Sequence, residues 1–252
     1  MKKDQKVKAY TVVALLFFGL FVFIASCSKD DDSNNNSSPA YTCKTCTDTP
    51  DALPANDASG KGVYKGVIVG SSGILSVNIQ NGSNTITATM VLDGVSVLLT
   101  SSVNYVDGEP YIAPFTGTYN GSPVTINFSV GLDGSAPTVT SADIPGHPNA
   151  VFVLAKEKST SLIEAFEGKY KINGVDMGTF NIILSSALGK FGGIAKETAT
   201  GEIDEIDGNY SSTGQLTDPD GRVLGTIVGD ELKGVFTDNN KQVITISGKR
   251  TL

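Results

Sequence analysis

The chain has 252 residues, with 19 Lys and Arg against 26 Asp and Glu, a net charge of −7, one His, three Cys and no Trp. An acidic chain with no basic patch is a poor match for nucleic acid, whose binding rests on phosphate neutralisation, so no nucleic-acid partner is expected. The single histidine, His147 in "PGHPN", leaves no second place to centre a Ser-His-Asp arrangement, no Gly-x-Ser-x-Gly elbow occurs, and His147 reads as a turn residue.

In chain order, the first feature is a basic head (Lys2, Lys3, Lys6, Lys8), then an apolar stretch over 9–24, then small residues before Cys27. This is the layout of an export signal over 1–26. The apolar stretch falls short of the roughly 20 residues that span a bilayer and contains Gly19, so cleavage is expected rather than insertion.

Ile24-Ala25-Ser26-Cys27 resembles the lipobox of bacterial lipoproteins. The resemblance implies that the Cys27 thiolate accepts a diacylglyceryl group and that this residue becomes an acylated N-terminus. Two acyl chains already anchor stably, at about 0.8 kcal/mol per buried CH₂. Ser28-Lys29-Asp30-Asp31-Asp32 resembles the acidic export tag of surface lipoproteins from Bacteroidota, which implies a lipid-anchored position on the outer membrane, facing the cell exterior. The alternatives are a solvated charge run in a linker and an ordinary secreted protein with a free Cys27.

The segment 27–59 is rich in Ser, Asn, Asp, Thr, Pro and Ala, has little to bury and is expected to be a disordered tether. Within it lie Cys43 and Cys46. Haem attachment needs a His where Thr47 stands, a structural zinc needs four ligands, and a thioredoxin-type pair opens a helix after a strand. The expectation is therefore a local disulfide formed in an oxidising compartment, with redox activity or intermolecular metal sharing as alternatives. No cofactor is expected.

From Gly60 onward the pattern changes to period two. "ILSVNIQ", "TITATMVL" and "VTINFSVGL" alternate apolar with polar side chains, as half-buried strands do. Asn81-Gly82, Asp93-Gly94, Asn120-Gly121 and Asp133-Gly134 fall between such runs and favour tight antiparallel hairpins. Glycine is 28 of 252 residues, above the usual share of about 7%, which suits many turns and bulges. One helix is expected, over 161–168, where Ser161 and Glu164 have capping-box spacing and Gly168 could end the turn.

The β region repeats itself. Gly-x-Tyr recurs at Gly62–Tyr64, Gly117–Tyr119, Gly168–Tyr170 and Gly208–Tyr210. "GVYKG" matches "GKYKI", "GILSVNIQ" matches "GTFNIILS", and the blocks close on "VFVLAKEK" and "VITISGKR". Two homologous all-β domains are expected, 60–158 and 163–252, each of about eight antiparallel strands forming a barrel or a sandwich. Each tyrosine is expected to cover its neighbouring glycine with its hydroxyl in water. The Gly-x-Tyr start after a short helix resembles the lipocalin-like start, in which Gly-x-Trp leads the first strand. Outer-membrane barrels share the alternation, but the polar positions here are Thr, Ser and Asn, and aromatic girdles are missing.

No catalytic cluster stands out. The acids Glu202, Asp204, Glu205 and Asp207 read as solvated positions of a strand, and "DPDGR", with Asp218 and Asp220, has part of a calcium-loop look without its ligand spacing. The expected function is non-catalytic: a lipid-anchored surface protein with a binding or scaffold role toward a protein or glycan. The alternatives are a lipocalin-like carrier of a small apolar ligand and a glycan-active enzyme using carboxylates in 202–220.

Overall fold

The computed structural model describes residues 40–69 and 72–252. Positions where apolar and polar residues alternate fold as strands whose apolar side is buried; Gly73–Ile79 alternates buried and half-buried at every step. The first eight strands are β1 (Gly62–Val69), β2 (Gly73–Ile79), β3 (Ile86–Leu92), β4 (Val95–Thr100), β5 (Tyr111–Tyr119), β6 (Ser122–Val130), β7 (Thr138–Asp143) and β8 (Val151–Lys156). They form one antiparallel sheet in the order β7-β6-β5-β4-β3-β2-β1-β8.

The second eight are β9 (Ile163–Ile172), β10 (Val175–Ser185), β11 (Lys190–Glu197), β12 (Ile203–Tyr210), β13 (Gln215–Thr217), β14 (Val223–Val228), β15 (Glu231–Thr237) and β16 (Val243–Arg250). These close completely, with β16 paired to β9. Both units are meanders in which the last strand pairs with the first, β8 with β1 and β16 with β9. They differ at one seam: β7 and β8 are not hydrogen-bonded, so the first sheet is a nearly closed barrel and the second a closed one.

Asp93-Gly94 and Asn120-Gly121 form two-residue hairpins with positive φ at both positions, as does Asn173-Gly174. Asn81-Gly82 and Asp133-Gly134 differ from expectation and lie in longer connections. The helix expected over 161–168 is the start of β9. There Ile163 and Ala165 are buried against Val67 and Ile183 in the seam between the barrels, while Phe166 enters the second barrel's core, so tertiary burial overrides the capping pattern. Gly168 lies mid-strand rather than ending a turn, paired with Phe180 on one side and Gly248 on the other.

The Gly-x-Tyr motifs at Gly117–Tyr119 and Gly208–Tyr210 are not equivalent, since one lies in the fifth strand of its unit and the other in the fourth. The Tyr64 hydroxyl also departs from expectation: fully buried, it donates to the Gly60 carbonyl at 2.7 Å rather than reaching water.

Both sheets belong to one compact unit. β1 packs against β9, β10 and β11 of the second barrel, which is why all eight of its positions are buried: one face lines its own barrel and the other meets the neighbour. At the junction Glu157, with no exposed surface, accepts hydrogen bonds from the N–H groups of Asp51, Ala52 and Ile163 and pairs with Lys65 at 2.8 Å. A buried carboxylate is stable only with such a full set of partners.

Residues 40–59, assigned by composition to the tether, lie along both barrels as a strap. Tyr41 N–H donates to Glu231, Cys43 N–H to Asp230, and the Leu53 N–H and Asn56 amide to Asn81 Oδ1. Polar side chains thus supply the fixing that an apolar face otherwise provides.

Candidate functional site

Alternation along the strands decides what each barrel holds. Inside the first, Tyr64, Phe115, Phe128, Met90 and Leu75 are fully buried in one cluster, with Tyr64 and Phe115 each packed against Phe128 at 5.4 and 6.1 Å between ring centres. Inside the second, glycine takes inner positions at Gly168, Gly178, Gly193, Gly208, Gly234 and Gly248, each two residues from an inner apolar side chain. Register sets rings opposite several of them: Phe180 with Gly168, Tyr170 with Gly178, and Phe191 with Gly208. A Cβ on Gly168 would stand 2.5 Å from Phe180 Cζ and 2.2 Å from the Ser247 carbonyl; one on Gly208 would stand 2.6 Å from Phe191 Cε1. The rings lie over bare backbone at the wall and leave the axis free.

The space that remains is a wholly apolar cavity of about 180 Å³, walled by Phe180, Ile182, Leu224, Phe236, Ile246 and further side chains that include the ring of Tyr170. Its two ends differ. Where β9 starts and β16 finishes, Phe166 and Leu184 pack in the core without lining the cavity, so they close that end. Arg250, paired in register with Phe166 and only 5% exposed, sits there with Glu164 at 3.3 Å, Asp230 at 3.4 Å and Asp48 of the strap at 3.3 Å. Burial pushes the Glu164 carboxyl up, opposed by the Arg250 charge. Tyr41 donates its hydroxyl to the Arg250 carbonyl and Arg250 donates to the Thr47 carbonyl, so the strap seals the closed end.

At the opposite end Tyr170, Ala195, Leu224 and Phe236 are half-buried, whereas Phe191, Leu216 and Leu232 deeper in are buried, and this gradient marks the mouth. Burial raises the Tyr170 hydroxyl pKa, and the nearby Glu197 and Asp204 raise it further. Arg222 lies over the Phe236 ring, 5.9 Å from its centre, and is paired with Asp218 at 2.7 Å. Burial pushes the Asp218 carboxyl up, but hydrogen bonds and charge from Arg222 outweigh it and hold the group below its ordinary range.

Of the residues singled out in the sequence, Cys27, Ser28, Lys29, Asp30, Asp31 and Asp32 lie outside the described residues. Cys43 and Cys46 are joined by a disulfide on the strap, beside the closed end of the second barrel. The acidic run 202–207 is divided by the pleat: Glu205 and Asp207 border a groove facing Val151 and Val153 of β8, while Asp204 falls on the inner face with Ile206. His147 sits in a turn after Ile144, its Nε2 3.3 Å from Asp93 and its ring against Tyr119.

Sequence reasoning raised an internal cavity only through the carrier alternative and did not place it in the second barrel. Its signal is the alternate-position glycine of the second domain, as in "EGKY", "DGNY" and "KGVF". Comparison with models of known protein families, with curated proteins and with solved structures found no match.

Proposed function

We propose that this chain is a lipid-anchored surface lipoprotein whose second barrel carries a small apolar molecule. The observation that carries the reading is the apolar cavity of about 180 Å³ inside a closed barrel, next to a sister barrel of the same strand order that is filled with side chains. An apolar cavity of about 150 Å³ stays dry and takes up benzene, so this one suits a single ring or a short chain. The strap adds to the case: its bonds to Arg250 fix the chain at the closed end, opposite the mouth.

The carrier reading is favoured over a purely structural scaffold because a scaffold gains nothing from unfilled core, which costs dispersion contacts. Native mass spectrometry of the full chain should reveal one small apolar molecule per chain, either co-purified or taken up on addition. An Ala195→Phe chain that folds but takes up nothing supports the assignment to this cavity. Absence of any uptake by the wild type would defeat it.

The anchor is tested separately. Cys27→Ser should release the protein from the membrane fraction, and a wild-type chain found entirely in the soluble fraction would overturn that half of the proposal.

A further inference from the structure

We propose that the second barrel selects an apolar molecule with a cationic, amine-type head, seated tail inward with the head at the mouth. This rests on the carrier reading and specifies its ligand. Two-residue alternation extends the inner face of β11 from Phe191, Gly193 and Ala195 to Glu197, and that of β12 from Gly208 and Ile206 to Asp204. Register brings these ends together, with Asp204 opposite Ala195 and Gly178 between Glu197 and Tyr170. Two carboxylates and a phenol hydroxyl therefore share the rim of an otherwise apolar cavity, and the Tyr170 hydroxyl feels both charges.

Two of the cations at this end are paired, and two others stand away from the inner face. Arg222 is paired with Asp218, and Lys171 with Asp176 at 3.1 Å. Lys196 is on the outer face, where it borders a groove with His147 and Ile68, and Lys241 sits in an exposed turn. Among the described residues neither Glu197 nor Asp204 has an ion-pair partner; Glu197 accepts a hydrogen bond from Thr200 Oγ1 at 2.6 Å. The remaining acids of this end, Glu202, Asp220 and Asp238, add to the same field.

An ammonium head at the mouth can donate to Glu197, Asp204 and the Tyr170 oxygen while its tail replaces empty space. A carboxylate head meets like charge there, while the Arg222 guanidinium is already held by Asp218, the Thr237 carbonyl and Asn239. The selection is electrostatic and acts at a rim of intermediate dielectric, where a unit charge a few ångströms away changes affinity by about tenfold or more.

The test is an NMR titration of the full chain in lipid nanodiscs with three matched compounds, phenylpropylamine, phenylpropanol and phenylpropanoate, near neutral pH. The amine should bind about tenfold or more tighter than the carboxylate, with the alcohol between, and shifts should concentrate on β11, β12 and Tyr170. Glu197→Gln combined with Asp204→Asn should bring amine and carboxylate to similar affinity and change the alcohol less than either. A carboxylate that binds as tightly as the amine overturns the charge selection and leaves the carrier reading intact. A preference that survives the double substitution overturns its assignment to these two residues. If none of the three compounds binds, the carrier reading itself fails.

Discussion

The two barrels share strand number, strand order and the pairing of last strand with first, yet one is filled and the other hollow. The filled barrel has an unpaired seam between β7 and β8; the hollow one is hydrogen-bonded all the way round. Side-chain packing and backbone closure therefore stand in for each other. In the first unit Tyr64, Phe115 and Phe128 hold the sheet curved from within, and in the second a continuous ring of backbone hydrogen bonds holds it from the wall. Only the second arrangement can do without its centre. A cavity in the first would leave an open seam with nothing behind it.

That contrast can be broken most strongly in the filled barrel. Phe128→Ala removes a fully buried ring with two aromatic neighbours and should cost about 3–5 kcal/mol in urea unfolding. Phe236→Ala, at the half-buried mouth of the hollow barrel, should cost much less, because the ring already borders empty space. The next effect runs the other way. Ala88→Leu overpacks the first core and should cost about 1–3 kcal/mol, whereas Ala195→Leu in the second should be neutral or stabilising and should diminish ligand uptake.

A smaller effect concerns the strap that fixes the closed end. Asp57 is held below its ordinary value of 3.8, first by the backbone N–H and then by the hydroxyl of Ser159, and Glu231 is lowered by Lys233 and the Tyr41 N–H. Because the folded values lie below the unfolded ones, this stabilisation is present above the unfolded carboxyl pKa of about 4 and is lost as pH falls through the folded values. Hydrogen exchange of residues 40–59 should accelerate on acidification before exchange in β9–β16 does. Equal acceleration of both would show the strap to be part of the barrel's own cooperative unit. Smallest is the disulfide: reducing Cys43–Cys46 should loosen the strap near Asp230 while leaving the thermal midpoint of the barrels nearly unchanged.

Much of this architecture can be read from the chain. Alternation in "ILSVNIQ" and "VTINFSVGL" gives β2 and β6, and the duplicated openings and closings give two units of eight strands. The start of β9 was misleading because Ser161 and Glu164 imitate a helix cap, while the buried partners of Ile163 and Ala165 come from β1 and β10, far off in sequence. The strap was illegible for a related reason: its polar residues resemble a solvated linker, and only the fold places Asp230, Asn81, Glu157 and Arg250 where they can bind it. The cavity lay halfway between. Alternate-position glycines are visible in the sequence, but whether they mark turns or a hollow interior depends on which face they take, and register decides that.

Diffraction from crystals held under xenon pressure addresses the central claim most directly, since xenon enters dry apolar cavities without needing a chemical partner. The account predicts xenon on the axis of the second barrel, between Phe180, Leu224 and Phe236, and none inside the first. Xenon absent from the second barrel, or bound equally in both, would contradict it.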